Sequence, residues 1–295
     1  MDTQHILMKA CDFGDVKVTK AMLDSNADVD RVANGWTALK VASERGHVGC
    51  VVALLEANAN VDLEPLGYAP RPRTTALKLA SFEGHADCVR TLIEANATID
   101  TEGDTALTLA SSGGHVECAV ELLKARADIN VLDEAGWTPL MVASMHNDVE
   151  MVTALLEADA DVTVEAEDEN GLRTALNVAV EYTSVDCLRA VLEKTEYDHM
   201  HVHDALEQAI YEDMTDCVPA LLDKIDYDHT TVPALLEIAA KKRRVNVFRL
   251  LHDTFPVPNL ATAIHRWCLA CTYFKKGNVI LKEMQGIFVT FLRNR

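Results

Sequence analysis

The sequence is poor in aromatic residues and in positive charge. Aromatic residues make up 5% of the 295 residues, and 27 Lys and Arg stand against 46 Asp and Glu, which gives a net charge of −19. Nucleic acid binding needs clustered cations to neutralise phosphates, so this balance argues against a nucleic acid partner and favours a basic protein partner. The alternative is that the acidity only keeps the chain in solution.

The positive charge that is present lies mostly at one end. Residues 236–295 hold 11 Lys and Arg against 3 acids, a net of +8, which leaves 16 against 43, or −27, for residues 1–235. Four adjacent cations make a candidate nuclear address or basic patch, although a solvated turn is the alternative interpretation. They are Lys241, Lys242, Arg243 and Arg244.

Long apolar runs and a leader pattern are also missing. The first residues, MDTQHILMKACDFGD, lack a basic segment followed by an apolar stretch, and no window approaches the roughly 18 apolar residues of a membrane helix. Eight cysteines are too few for a disulfide scaffold in a chain of this length. We therefore expect a soluble, unexported protein, with the reducing cytoplasm as its compartment.

The sequence does contain a strong internal repeat. Three segments show it best: TALKVASERGHVGCVVALLEANANVD from Thr37, TALKLASFEGHADCVRTLIEANATID from Thr75 and TALTLASSGGHVECAVELLKARADIN from Thr105. The N-terminal residues form a further copy. Weaker or more diverged copies begin at Thr138, Thr174, Asp204 and Leu235.

One apolar column shows the register of the copies. Its members are spaced by 32, 38, 30, 33, 36, 30, 30 and 34 residues, close to a period of about 33. They are Val18, Cys50, Cys88, Cys118, Met151, Cys187, Cys217, Val247 and Leu281.

Each copy predicts two short helices that must bury their apolar faces against neighbouring copies. The initial Thr is a candidate N-cap, because its hydroxyl can accept from an unpaired backbone N–H. After the Leu-Leu pair the second helix must stop, and a residue in the left-handed region does this. The candidates are Asn58, Asn96, Arg126 and Asp159.

These residues resemble the ankyrin-repeat family over about residues 5–260. The resemblance implies an all-α solenoid of about eight to nine helix-turn-helix repeats. It implies an N-terminal capping repeat at 1–34 and further repeats at 35–260, diverged from about 203. Only Pro139 keeps the family's Pro in the clear copies. Residues 261–295 are predicted to form a helical C-terminal cap, with a separate partner-binding tail as the alternative.

Two enlarged turns, at residues 63–73 and 163–171, predict fingers that project between repeats. The first carries Tyr68, Arg71 and Arg73 beside three prolines, and the second is acidic. Insertions in a solenoid often lie on its binding face, although loops also tolerate neutral growth.

Histidine and cysteine recur together but do not indicate chemistry. His47, His85 and His115 each precede a column Cys by three residues, which is compatible with zinc ligands. The column also accepts Val and Met, which do not bind zinc, so core packing is the favoured interpretation. Cys268 and Cys271 form a single C-x-x-C pair among apolar residues. No phosphate-binding, serine hydrolase or zinc protease motif occurs. We therefore predict that the protein is not an enzyme and that it binds no cofactor or metal ion.

Function is therefore expected in the concave groove of the stack. We predict a non-catalytic module, monomeric alone, that binds a basic or extended segment of a partner protein. The alternative is a regulatory adaptor or inhibitor that masks a basic segment, or recruits a substrate to a larger assembly through its C-terminal region. Trp36 and Trp137 are the strongest candidates for binding energy, or they stiffen the stack across adjacent turns. The register places these residues at the groove: Trp36, Glu44, Arg45, Phe82, Glu83, Trp137, Met145, His146, Arg173, Glu181, Tyr182, Tyr211, Glu212, Lys241 and Lys242.

Overall fold

Pairs of short helices run through the described part of the chain. The computed structural model describes residues 3–64, 74–101, 103–168, 171–194, 199–224, 234–236, 238–239, 242 and 244–254. The chain divides into two compact units, Met1–Arg173 and Thr174–Arg295. The sequence did not predict this division.

The first unit contains five helix pairs arranged in two layers. The first layer consists of α1 (Thr3–Phe13), α3 (Ala38–Glu44), α5 (Ala76–Phe82), α7 (Ala106–Gly113) and α9 (Pro139–Met145). The second layer consists of α2 (Val16–Asp24), α4 (Val48–Glu56), α6 (Ala86–Glu94), α8 (Val116–Lys124) and α10 (Val149–Glu157). Each helix packs against its pair partner and against the next helix of its own layer.

The predicted threonine caps begin the first-layer helices. Thr37, Thr75, Thr105 and Thr138 each accept the backbone N–H of the third residue that follows. Such a cap satisfies one of the four N–H groups that a helix leaves unpaired, and it contributes about 1 kcal/mol.

The predicted left-handed residues end the second-layer helices. The φ angles are 61° at Asn58, 61° at Asn96, 67° at Arg126 and 62° at Asp159. Asn26 has the same conformation, with φ of 63°, at the end of α2. Asn tolerates this region better than most side chains do, which is why it recurs where the chain must turn out of a helix.

The core lies between the two layers and follows the predicted columns. Cys50, Cys88, Cys118 and Met151 are all buried. Val18 is only half-buried on α2, which packs against α1 and α4. The next residue, Thr19, is buried instead, with its Oγ1 3.5 Å from the Cys50 Sγ.

The histidines link each repeat to the turn of the preceding one. The Nε2 of His47 donates to the Asp12 carbonyl oxygen at 3.1 Å, and that of His85 donates to the Glu44 carbonyl oxygen at 2.9 Å. Each of these two rings therefore bonds the end of the first-layer helix of the preceding repeat. Glycine makes room for them, since a Cβ at Gly46 would lie 2.5 Å from the His85 Nδ1.

A second link between repeats joins acidic or amide side chains to backbone N–H groups. Asp30, Asp62, Asp100 and Asn130 occupy the same place in four successive repeats. Each accepts a backbone N–H from the repeat that follows, at 2.8, 2.9, 3.1 and 2.9 Å respectively. The donors are Asn60, Thr98, Asp128 and Asp161. Three carboxylates and one amide therefore connect successive repeats.

The first unit ends in a small β-hairpin. Strands β1 (Ala166–Asp168) and β2 (Gly171–Arg173) are antiparallel, with Ala166 opposite Arg173. This hairpin occupies the second predicted finger. Its two strands are the only ones among the described residues, which are otherwise mainly helical. The first predicted finger, with Tyr68, Arg71 and Arg73, lies outside the described residues.

The second unit contains α11 (Ala175–Glu181), α12 (Val185–Lys194), α13 (His199–Glu212), α14 (Val218–Leu222) and α15 (Val245–Thr254). Thr174 caps α11 as predicted, and Asn177 completes the capping box. The Asn177 side chain also donates to the Gln208 Oε1 at 3.1 Å, which joins α11 to α13.

Helix α13 differs from the expected repeat. A copy was predicted from Asp204, yet the helix begins at His199 and places Asp204 inside it rather than at the cap. No Thr, Gly or Pro lies between His199 and Asp204. Val202, within this stretch, is buried in the core. The repeat pattern continues within the helix, because Ala205, Leu206 and Ala209 are buried.

The helical repeat class is confirmed, whereas the number of repeats stays a prediction. Seven helix pairs and α15 lie in the described residues, against about eight to nine expected repeats. The predicted C-terminal cap at 261–295, including Cys268 and Cys271, lies outside the described residues, as do Lys241 and Arg243.

Candidate functional site

The first unit has a cleft between α1, the turn after α2, and α3. Its volume is about 490 Å³. Three residues that the sequence places at the groove line it: Trp36, Glu44 and Arg45. We call it the N-terminal cleft, and its other lining residues are Gln4, His5, Met8, Lys9, Asp12, Arg31, Ala33, Asn34 and Val41.

A tight turn holds Trp36 at the edge of this cleft. Ala33 and Trp36 exchange backbone hydrogen bonds of 2.9 and 3.0 Å across Asn34 and Gly35, whose φ angles are 53° and 80°. An Asn-Gly pair with two positive φ angles forms the tight reversal that suits a two-residue turn. The Trp36 side chain remains half-buried, and Lys40 Nζ lies 5.7 Å from its ring centroid.

Lys40 stabilises the same turn through a hydrogen bond. It is buried, and its Nζ donates to the Gly35 carbonyl oxygen at 3.3 Å. Burial lowers the pKa of this ammonium group, although the nearby Glu64 acts in the opposite direction. Lys40 therefore ties the first turn of α3 to the turn that carries Trp36.

Trp137 follows a different turn, organised by Asp133. The Asp133 carboxylate accepts the N–H of Trp137 at 2.7 Å and that of Ala135 at 2.9 Å. Burial raises the pKa of Asp133, the two backbone donors oppose this change, and the charges of Asp104 and Glu134 add to it. The three acids Asp104, Asp133 and Glu134, which we call the acidic rim, therefore lie close together, and Asp133 bonds the backbone of the half-buried Trp137.

The C-terminal ends of the first-layer helices carry the other predicted groove residues of this unit. Glu44, Phe82 and Met145 are half-buried, whereas the residues that follow them are exposed. Those residues are Arg45, Glu83 and His146. Arg45 donates through Nε to Asp12 at 2.8 Å, and this contact raises the pKa of the guanidinium. Arg173 is half-buried at the end of β2.

The second unit presents a separate group of predicted residues. Tyr182 and Tyr211 are 47% and 53% exposed. The Lys242 Nζ lies 3.7 Å from the Tyr211 ring centroid, and Arg244 donates to the Tyr211 carbonyl oxygen through Nε at 2.9 Å. The hydrogen bond and charge of Lys242 lower the pKa of Tyr211. Glu181 is half-buried and Glu212 is exposed.

The cysteines of the column lie away from these surfaces. Burial raises the pKa of Cys88 to about 12 and that of Cys118 to about 11. Such thiols are protonated at neutral pH, so they serve as core side chains rather than as nucleophiles. Within the described ranges, no three His, Cys, Asp or Glu side chains lie close enough together to hold a metal ion.

The comparisons with known proteins agree with this architecture. The family model described as ankyrin repeats (3 copies) matches residues 2–65, 66–133 and 119–204. The chain belongs to the ankyrin-repeat family. Ankyrin repeats are generally protein–protein interaction modules, and the fold is a non-enzymatic interaction fold.

A solved ankyrin structure resembles most of the chain. The crystal structure of the human ASB11 ankyrin repeat domain is 25% identical, with a TM-score of 0.61. The match covers 75% of this chain and 98% of that chain. A search of curated proteins found no match. Among the described residues, no helix is long and apolar enough to cross a membrane.

The predicted groove set lacks two residues, Phe13 and Lys9. Phe13, 77% exposed, occupies the same repeat position as Arg45, and Lys9 lines the N-terminal cleft from α1. The repeat register includes Phe13, although the first repeat was predicted to be a cap. The Asn34-Gly35 pair was a further signal, because this dipeptide is typical of a tight turn. The acidic rim had no such signal, since its members belong to neighbouring repeats.

Proposed function

We propose that the first unit binds an extended segment of a partner protein along the side that carries Trp36 and Trp137. Both tryptophans immediately precede a Thr cap, so they occupy the same repeat position and face the same side of the stack. Neither ring is fully buried. A partly exposed Trp is the residue type that most often contributes binding energy at protein interfaces.

The N-terminal cleft is the observation that carries this proposal. Its volume of about 490 Å³ falls within the range in which proteins enclose small ligands or side chains, and Trp36 forms part of its wall. The backbone turn fixes the main chain at Trp36 without a partner, so binding would cost little backbone ordering entropy at this residue.

The charge near Trp137 favours a basic part in the bound segment. Asp104 and Glu134 are exposed, and Asp133 is half-buried. Lys or Arg side chains of a partner would relieve the repulsion among the three rim carboxylates.

A reducing compartment such as the cytoplasm is part of the proposal, because the six described cysteines are buried free thiols.

Affinity capture with the full chain tests the proposal. We would compare the wild type with a Trp36→Ala, Trp137→Ala double variant, at two salt concentrations. A matched control is the Val52→Ala, Val149→Ala variant, because these apolar residues are 36% and 37% exposed on the second layer. We expect partners to be lost from the tryptophan variant only, with each tryptophan contributing about 2 kcal/mol. A capture profile that is the same for all three proteins contradicts the groove assignment.

A further inference from the structure

The turn that holds Trp36 contains the dipeptide Asn34-Gly35, in which two groups are free to react with each other. The Asn34 side chain is exposed and lines the edge of the N-terminal cleft. Ala33 and Trp36 close the turn with two backbone hydrogen bonds, but no group among the described residues accepts the N–H of Gly35. Neither the side-chain amide of Asn34 nor the nitrogen that follows it is therefore held by a hydrogen bond within that part of the chain.

Three other asparagines differ from Asn34 in this respect. Asn26, Asn58 and Asn96 are exposed, and their φ angles of 63°, 61° and 61° are close to the 53° of Asn34. Each is followed by Ala, whose N–H donates to a carbonyl oxygen of the preceding helix at 3.1, 3.0 and 3.0 Å respectively. Those nitrogens are released only when the end of the helix opens. The three asparagines are thus matched internal controls for Asn34.

We infer that Asn34 is a site of spontaneous deamidation, and that the isoaspartate product opens the turn that holds Trp36. The Gly35 nitrogen attacks the Asn34 Cγ, a C–N bond forms, and the Cγ–Nδ2 bond breaks. The proton of the Gly35 N–H leaves with the side-chain nitrogen as ammonia. Water then opens the succinimide ring at either carbonyl carbon, which gives Asp or isoaspartate. Gly favours the attack because it has no Cβ to hinder the approach of its nitrogen.

Isoaspartate changes both the backbone and the charge of this turn. It moves the Cβ of residue 34 into the main chain, so the link from Ala33 to Trp36 gains one backbone carbon. A two-residue turn depends on a fixed loop length. We therefore expect the pair of hydrogen bonds between Ala33 and Trp36, of 2.9 and 3.0 Å, to break. The new carboxylate also adds a negative charge to the wall of the N-terminal cleft. The Asp product adds the charge but keeps the loop length.

Incubation of the full chain at neutral and at mildly alkaline pH, followed by peptide mapping with mass spectrometry, tests the modification. Isoaspartate is measured separately, by methyl transfer from S-adenosylmethionine with a protein isoaspartate methyltransferase as the probe. We expect Asn34 to be converted about tenfold or more faster than Asn26, Asn58 and Asn96 in the same sample. Conversion should be faster at the higher pH, because the Gly35 N–H must lose its proton.

A variant separates Asn34 from the second Asn-Gly pair of the sequence. That pair is Asn170-Gly171, and Asn170 lies outside the described residues. Asn34→Gln retains a side-chain amide but would have to form a larger ring, so we expect no conversion at this position and unchanged conversion elsewhere. Methyl transfer that is the same for the wild type and Asn34→Gln, or conversion of Asn34 no faster than that of the three control asparagines, overturns the inference.

Amide hydrogen exchange tests the effect on the turn. The Trp36 N–H should exchange faster in the isoaspartate fraction than in fresh protein, whereas the Trp137 N–H, which the Asp133 carboxylate accepts, should not change. Freshly purified Asn34→Asp carries the charge with the original loop length and should retain slow exchange at Trp36. Slow exchange at Trp36 in the isoaspartate fraction, or equally fast exchange in Asn34→Asp, contradicts opening of the turn by the added backbone carbon.

Discussion

Asp62 of one repeat holds the backbone of Thr98 in the next repeat. Its carboxylate accepts the Thr98 N–H at 2.9 Å and the Thr98 hydroxyl at 2.7 Å. Asn130 makes an equivalent contact two repeats later, where its Oδ1 accepts the N–H of Asp161 at 2.9 Å. The common requirement is a short side chain with an oxygen acceptor, because Asp and Asn both satisfy it.

Replacing Asp62 by Ala should lower the free energy of unfolding by about 1–2 kcal/mol, because two hydrogen bonds between repeats are lost. Asp62→Asn is the matched control and should retain most of the stability, as Asn130 does in its own repeat. Urea denaturation followed by circular dichroism measures both. An Asn variant as unstable as the Ala variant would show that the negative charge, rather than the acceptor, stabilises the interface.

Removing the cap of α9 should also destabilise the first unit. The Thr138 hydroxyl accepts the Met141 N–H at 3.2 Å, and Thr138→Ala leaves that buried donor without its partner. We expect a loss of about 1 kcal/mol, whereas Thr138→Ser keeps the acceptor and should lose less. Thermal and urea denaturation would distinguish them. If the Ser variant is no more stable than the Ala variant, packing of the methyl group rather than the cap is responsible.

Gly84, at the turn after α5, should not tolerate a side chain for two reasons: its backbone conformation and the nearby His115 ring. Gly84 has φ of 81°, and a Cβ would lie 2.5 Å from the His115 Nδ1. Gly136 has φ of 79°, and a Cβ there would have no neighbour within 4 Å. We expect Gly136→Ala to cost about 1 kcal/mol from backbone strain alone.

We expect Gly84→Ala to cost more than Gly136→Ala, because strain and the clash with the ring add. Urea denaturation of Gly84→Ala, His115→Ala and the double variant isolates the clash as a coupling energy. Equal costs for the two glycine variants and no coupling with His115 would show that the ring moves aside freely.

The raised pKa of Asp133 should appear in the pH dependence of stability. Burial raises its pKa, so the folded chain holds this proton more tightly than the unfolded chain does. An Asp in an unfolded chain has a pKa of about 4, so as pH rises above this value the unfolded chain loses the proton first. The stability contribution of Asp133 therefore falls as pH rises through its folded pKa.

Asp133→Asn keeps an acceptor for the N–H groups of Trp137 and Ala135 but removes the charge. We expect the stability of the wild type relative to this variant to decrease as pH rises from about 4 to 7. Urea denaturation at several pH values measures the difference, with Asp28→Asn as a control on an exposed turn carboxylate that accepts the Asp30 N–H. A difference independent of pH would contradict a raised pKa at this position.

Much of the local structure was predictable because it depends on residues close together in the chain. A Thr three residues before its N–H donor caps a helix by local geometry, as at Thr37 and Thr174. Asn58 and Asn96 end helices through their own backbone conformation. The buried column required only comparison between copies, because equivalent positions in a repeat share one environment. These features determined the ankyrin fold and placed Trp36 and Trp137 in one repeat position.

The tertiary structure decided what depends on the stacking of repeats. The contact between Asp62 and Thr98, the approach of Asp133 to Asp104 and the cleft between Lys9 and Trp36 each join residues about 30 positions apart. The length of α13 also required the structure, since burial of Val202 extends that helix beyond the repeat pattern. The sequence by itself determines which positions face a neighbouring repeat. The separation and orientation of the packed layers decide which side chains meet there.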